Sequence, residues 1–323
     1  MKIAVVGCGA LGSYYGAKLL RAGAKVHFLL RSDFETVQRQ GVRILSPDGD
    51  FVAHPECARQ PDEIGPCDAV LIGLKTTANN QYGALLPPLV GWNTAVVSLQ
   101  NGLGNEARLA SLLGESHALG GLCFVCLNRM APGVIRHIAY GKIILGEYQR
   151  PAGPRAHELA GWLRLSGVPC EVTDNLERAR WKKLIWNIPF NGLGVAGAAG
   201  YEAVLRGSLP EGTVPGPALP TDVLLGDPRW ETLVRDLMLE VIRAANARGL
   251  DLAEQHAEEQ ISATRSMGPY RASTLIDYEH GQPLELESMF LEPLRQAREA
   301  GCPTPRLAAL CEVLRQLDPA SRG

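Results

Sequence analysis

The chain of 323 residues carries 32 Lys and Arg against 34 Asp and Glu, a formal net charge of −2, with 46% hydrophobic and 20% charged residues. Its length suits two domains around a sizeable core and excludes a single small binding module. The composition excludes a disordered or fibrous protein, and the near-neutral charge excludes a global basic field for nucleic acid or an anionic membrane.

In chain order, Lys2 to Val6 reads as a buried strand starting directly after Met1, which leaves no room for a secretory signal, so the expected location is cytoplasmic. Gly7, Cys8, Gly9, Ala10, Leu11 and Gly12 follow, then helical spacing from Leu11 to Ala22 and a second strand over Lys25 to Leu30. In that strand–turn–helix setting the glycine spacing marks a dinucleotide loop. Gly7 permits the tight turn, Gly9 lets a pyrophosphate approach the backbone, and Gly12 allows close helix–strand packing. A plain Gly-rich turn would leave Gly9 and Gly12 unexplained together. The second strand ends in Leu29-Leu30-Arg31-Ser32, without the acid that meets the ribose in NAD sites. Arg31 suits a 2′-phosphate, and NADPH is the expected cofactor; the plainer alternative is a solvated loop arginine.

Asp68 to Leu74 and Ala95 to Leu99 read as further buried strands, with Lys75 and Asn101 emerging at their carboxyl ends, where open α/β sheets place ligands. Thr76 to Asn105 and Leu184 to Tyr201 are uncharged, yet Asn79, Asn80, Pro87, Pro88, Asn187, Pro189 and Asn191 make both poor membrane spans. Ala118 to Val125 is another strand, followed by an expected hairpin through Val134 to His137 and Lys142 to Gly146. The eight cysteines are expected as reduced thiols in a chain too large to need staples. Cys123 and Cys126 have redox or zinc spacing, but no second pair follows and their surroundings look like a buried strand, so they read as core and no metal is expected.

After Asp174 helical patterns dominate, over Asn175 to Ile188, Arg229 to Arg248, Ala253 to Ser266 and Glu285 to Ala300. The expected fold class is α/β, with an N-terminal Rossmann-type dinucleotide-binding domain over 1–174 and a mainly α-helical C-terminal domain over 175–323. Within the second, seven of the sixteen residues from Gly207 to Asp222 are Gly or Pro, the mark of a surface excursion, lid or insertion. Lys183, Asn187 and Asn191 recur every four positions and share a helix face, and Pro189 should kink the helix beside them. Their flanks, Leu184, Ile185, Trp186, Ile188 and Phe190, point to a lined cavity rather than a solvated face.

Added to these are Leu74-Lys75-Thr76, Gln100-Asn101-Gly102, Pro132-Gly133-Val134 with Arg136-His137, then Ser273, Asp277, Gly281, Glu285 and Gly301-Cys302-Pro303-Thr304-Pro305. With the glycine loop, Arg31 and the Trp181 to Asn191 helix, they make the chain resemble, nearly end to end, the ketopantoate reductases, the NADPH-dependent 2-dehydropantoate 2-reductase family. The resemblance implies a Rossmann domain joined to a helical one with substrate in the cleft between them. It implies Lys183 as the acid, Glu285 holding the substrate, Asn187, Asn191 and Ser273 contacting it, and Lys75 and Asn101 at the nicotinamide end. Hydride arriving at a ketone carbon leaves negative charge on oxygen, and a cationic Lys supplies both the proton and the electrostatic stabilisation.

Ser273-Thr274-Leu275-Ile276-Asp277 and Leu284-Glu285-Leu286-Glu287 depart from the family's common Ser-Met-Leu-Gln-Asp and Thr-Glu-Ile-Asp, which leaves the identity of the oxo acid open. The alternatives are a paralogous reductase of another 2-oxo acid and a non-catalytic NADPH sensor, which would need no proton donor. The expected partner is a small 2-oxo acid, with no nucleic acid and no membrane; a homodimer is compatible with the sequence.

Overall fold

Strand β1 (Lys2–Val6) is apolar on both faces, and the first half of the fold follows from that. Ile3 and Val5 enter one core with Tyr15, Phe28 and Leu71, whereas Ala4 and Val6 enter another with Val70, Ile72 and Val96. A strand buried on both sides belongs in the middle of a parallel sheet with helices over each face. In the computed structural model, which describes residues 1–322, the chain divides into a unit over Met1–Ala179 and a second unit from Arg180 onward.

The first unit adds β2 (Lys25–Leu29), β3 (Val42–Leu45), β4 (Phe51–Ala53), β5 (Glu56–Ala58), β6 (Cys67–Ile72), β7 (Val90–Ser98), β8 (Ala118–Ala131), β9 (Val134–Glu147) and β10 (Cys170–Val172). Its helices are α1 (Ala10–Arg21), α2 (Phe34–Gln40), α3 (Tyr82–Leu85), α4 (Asn105–Leu113) and α5 (Pro154–Leu165). The sheet runs β4-β3-β9-β8-β7-β6-β1-β2-β5, with β10 joined to β9. The segment β5-β2-β1-β6-β7-β8 is parallel throughout and reverses its direction of growth between β1 and β6, the switch point at which doubly wound sheets hold dinucleotides. Val6 pairs with both Leu29 and Ile72, so the loops leaving β1, β2 and β6 emerge side by side.

The expected hairpin within 134–146 is not formed. Val134–Glu147 is one strand, and its antiparallel partner is β8, joined through Pro132 and Gly133 with Gly133 at φ +68°. Tyr140 (φ +66°) and Gly141 (φ +137°) look like a turn in the sequence but form a β-bulge. The Tyr15 hydroxyl donates to the Gly141 carbonyl at 3.2 Å, and His137 Nε2 lies 2.9 Å from the Tyr140 carbonyl oxygen. Cys123 lies on β8 inside the core, and among the described residues no group of three or more His, Cys, Asp or Glu could hold a metal ion.

The second unit is helical. Helix α6 (Leu176–Ala196) leads into it, followed by α7 (Tyr201–Arg206), α8 (Thr221–Gly226), α9 (Pro228–Ala247), α10 (Gln255–Arg265) and α11 (Ser273–Glu279). A π-helical turn over Glu287–Leu291 runs into α12 (Glu292–Glu299), and α13 (Pro305–Leu317) comes next. The helix expected over Asn175 to Ile188 continues through Pro189 to Ala196, without a break at the proline. Residues from Gly207 to Pro220 lack regular structure, as their glycines and prolines require, but they are fastened down: Gly216 N donates to Ala198 O at 2.7 Å and Leu219 N to Gly194 O at 2.8 Å. Among the described residues no helix is long and apolar enough to cross a membrane.

One buried carboxylate closes this unit. Glu240 of α9 accepts hydrogen bonds from the backbone N–H groups of Arg306 and Leu307, each at 2.9 Å, at the start of α13, where Pro305 has no N–H to offer. Burial pushes its carboxyl up, against the pull of those two donors. Glu240→Ala leaves both N–H groups without this acceptor and is expected to cost about 2 kcal/mol. Denaturant unfolding would register it, and an unchanged midpoint would show that α13 needs no cap.

Candidate active site

The loop after β1 is shaped by contacts that only glycine permits. Gly7 takes φ +93°, and a Cβ on it would lie 2.3 Å from the Leu74 nitrogen; a Cβ on Gly12 would lie 2.3 Å from the Gly7 carbonyl oxygen. At Gly9 a Cβ would meet nothing within 4 Å. That glycine is therefore not required by packing, and its open side is where a pyrophosphate would approach. Helix α1 begins at Ala10 with no acidic residue in its first turn and no side-chain cap, leaving its positive end for an anion. Cys8 turns its thiol back toward the carbonyls of Val5 (3.4 Å) and Leu29 (3.6 Å), and burial, then charges at Cys57 and Asp33, push that thiol up.

At the end of β2, Arg31 is exposed and makes no ion pair among the described residues. The acid missing from Leu29 to Ser32 is nevertheless present one residue later. Asp33 is 7% exposed and accepts from Arg129 Nη2 at 2.7 and 2.8 Å, Arg129 Nε at 3.3 Å, Gly133 N at 3.3 Å and Ser32 Oγ at 2.9 Å. Burial acts to raise its pKa, but the Arg129 hydrogen bonds prevail and hold the carboxyl below its usual range. Sequence reasoning passed over this residue because its partner lies on β8, far along the chain.

Beyond β6 and β7, Lys75 is exposed and Asn101 half-buried. Their loops are tied by a relay of amides. The Tyr82 hydroxyl and Ser98 Oγ (3.0 Å) both donate to Gln100 Oε1, Gln100 Nε2 to Asn79 Oδ1 (2.7 Å), Asn79 Nδ2 to Asn105 Oδ1 (2.9 Å), and Asn105 Nδ2 to the Asn101 carbonyl (3.0 Å). Each amide gives with its nitrogen and accepts with its oxygen, so the loop bearing Asn101 is held by a satisfied network. The sequence offered its members separately, Asn79 as an argument against a membrane span and Gln100-Asn101 as a motif, and gave no sign that they bond to one another.

In the second unit, Lys183 is half-buried, Asn187 6% exposed and Asn191 2% exposed along one face of α6. Asn191 Oδ1 accepts from Thr274 N at 3.0 Å and from Ser273 Oγ at 3.3 Å, so the stripe and the start of α11 are brought together. Trp186 and Phe190 follow Lys183 and Asn187 by three residues each and edge the stripe. Their rings are 5.0 Å apart, Tyr270 lies 6.0 Å from Trp186, and Trp186 Nε1 donates to Thr264 Oγ1 at 2.9 Å. Glu285 is 6% exposed whereas Glu287 is exposed, and the preceding Leu284 N donates to Asp318 Oδ1 at 3.1 Å. Of these groups, the structure brings Asn191 and Ser273 into contact.

A cavity of about 360 Å³ lined by residues such as Met1, Asp68, Trp92 and Arg155 lies at the amino ends of β6 and β7. It is on the edge of the sheet opposite the glycine loop, away from the end where such sheets bind ligands.

Two family models match the chain: "Ketopantoate reductase PanE/ApbA" over residues 3–150 and "Ketopantoate reductase PanE/ApbA C terminal" over 218–318. A 2-dehydropantoate 2-reductase from a Nostoc species is 39% identical, with 99% of this chain and 96% of that protein covered. Among solved structures, a 2-dehydropantoate 2-reductase from Geobacter metallireducens is similar with a TM-score of 0.88 at 44% identity, covering 98% of this chain and 99% of that one. One from Methylococcus capsulatus has a TM-score of 0.87 at 32% identity, with 98% and 96% covered.

Proposed function

Since the chain belongs to the ketopantoate reductase family, we propose that it is an oxidoreductase that reduces 2-dehydropantoate (ketopantoate) to pantoate with NADPH. The observation that carries the reading within this chain is the stripe of Lys183, Asn187 and Asn191 on α6, which a protein that merely sensed NADPH would not need. Residues 1–174 hold the cofactor and 175–323 supply the catalytic and substrate-binding groups. Cys8, Cys57, Cys67, Cys170, Cys302 and Cys311 are unbridged thiols, which suits a cytoplasmic enzyme in a reducing compartment.

The residues present fit the dinucleotide: the open side of Gly9 and the first turn of α1 receive the pyrophosphate, with Cys8, Ala10 and Leu11 lending loop backbone, and Arg31 takes the 2′-phosphate. Lys75 and Asn101 serve the nicotinamide end. NADPH, when bound, supplies the hydride for the carbonyl carbon. Lys183 gives its proton to the carbonyl oxygen as negative charge builds there, so that hydride and proton together turn C=O into CH–OH. Asn187 donates to that oxygen and holds it in line, Asn191 and Ser273 contact the rest of the acid, and Glu285 accepts a hydrogen bond from the substrate hydroxyl.

One feature favours a second reading. The aromatic group of Trp186, Phe190 and Tyr270 beside the stripe suits a 2-oxo acid with a bulkier apolar side chain than ketopantoate. Steady NADPH oxidation with a panel of branched, linear and aromatic 2-oxo acids separates the two. Ketopantoate should give the highest kcat/KM; a higher value for another acid would transfer the assignment to it, and no turnover with any would reject the enzyme reading.

The cofactor assignment has its own test. A hydrogen bond to a charged group is worth about 1.5–3 kcal/mol, so Arg31→Ala should weaken NADPH by about ten- to a hundredfold and leave NADH nearly untouched. Equal weakening of both nucleotides in binding titrations would make Arg31 a structural residue.

A further inference from the structure

The loop from β2 to α2 holds one carboxylate, Asp33, and it stands close to where enzymes of this fold that use NAD carry the acid for the ribose hydroxyls. A carboxylate loose at that point would repel a 2′-phosphate. Here it is bound on every side. Arg129, from the far end of β8, grips it through Nη2 and Nε, the Gly133 N–H of the β8–β9 turn donates to Oδ2, and the Ser32 hydroxyl donates to Oδ1. Four donor groups satisfy the lone pairs of a single ionised carboxylate, and the arginine cancels its charge at contact distance. Arg31, two residues before it, is exposed and has no such partner among the described residues.

We propose that the Arg129–Asp33 pair is a determinant of cofactor choice in this reductase. It fastens the acid of the ribose loop to the β8–β9 hairpin and leaves Arg31 as the charged group that meets the nucleotide. Arg129 is a positioning residue in this account, acting through Asp33. Asp33 lies near enough to the dinucleotide loop for its charge to be one of the influences that push up the Cys8 thiol. The inference rests on the NADPH reading above and adds to it the reason that an acid near the ribose does not overturn it.

The test is a binding cycle on the whole protein, with NADPH and NADH titrated separately by their fluorescence. Arg129→Met should release Asp33 and weaken NADPH by about ten- to fiftyfold, while NADH binding holds or tightens, because like charges brought together at a binding surface are costly. Asp33→Asn alone, which removes the charge and keeps an acceptor oxygen, should leave NADPH within about threefold of the unmodified protein. Combined with Arg129→Met it should restore NADPH binding to that range. Failure of the double variant to recover would overturn the proposal, since Arg129 would then be touching the phosphate itself or supporting the fold. Should Arg129→Met not fold, Arg129→Lys serves instead: an ammonium cannot grip both oxygens in the same fork, and the NADPH-to-NADH ratio should fall in the same direction. An unchanged ratio in whichever of the two variants folds also overturns it. If the unmodified protein binds NADH as tightly as NADPH, the NADPH reading falls, and the clamp, which presupposes it, falls with it. If NADPH is preferred and only the variants disagree, the clamp alone is lost.

Discussion

Lys183→Ala is expected to lower kcat by about 10²- to 10⁴-fold while NADPH binding is nearly kept. The size follows from what the residue is asked to do. Hydride transfer to a ketone produces an alkoxide, and without a donor at the oxygen the charge has to be carried until water supplies a proton. In the proposed role, an ammonium placed at that oxygen removes the delay and stabilises the charge before the proton moves, and Lys183 is half-buried. Its place supports the assignment: Lys183 shares a face with two buried amides, whereas its neighbour Lys182 is exposed. Lys182→Ala is therefore the control and should turn over normally. Near-normal turnover by Lys183→Ala would remove the acid from the mechanism.

The second large effect concerns substrate. Ketopantoate is expected to exceed 2-oxoisovalerate, which lacks the hydroxyl, by about ten- to a hundredfold or more in kcat/KM. Glu285 is buried, and an acid without the hydroxyl would enclose its carboxylate without that donor, at a cost of about 1 to 3 kcal/mol. Glu285→Gln should narrow the gap chiefly by lowering the rate with ketopantoate, leaving the slow reduction of 2-oxoisovalerate largely as it was. Equal kcat/KM for the two acids in the unmodified protein would show that Glu285 does not read the hydroxyl, and would strengthen the case for a bulkier acid against the Trp186 side of the stripe.

What the sequence determined by itself lies within one element or one turn. The Rossmann-type half was legible because Gly7 takes a positive φ and Gly12 lies against the Gly7 carbonyl, both within one turn, and because Lys2–Val6 is apolar on both faces. The Lys183, Asn187 and Asn191 stripe was legible because the helical period alone sets which side chains share a face. These are consequences of backbone geometry and hold wherever the element is packed. The reading failed at Tyr140 and Gly141, where residues that suit a turn sit in a bulge: whether such a pair turns the chain or bulges a strand depends on the strand paired beside it, and β8 claims the full length of β9.

Tertiary structure alone decided the pairings between distant residues. Asp33 and Arg129 lie 96 positions apart, and neither has a local pattern that names the other. Asn191 and Thr274 are 83 apart, and Leu284 meets Asp318 across 34. Asp33 lies in the loop after β2, and the arginine that grips it is visible only in the fold. The physical reason is that local geometry fixes the direction of a side chain relative to its own element, whereas a buried polar group takes its role from the partner that satisfies it, and that partner is chosen by sheet register and helix packing.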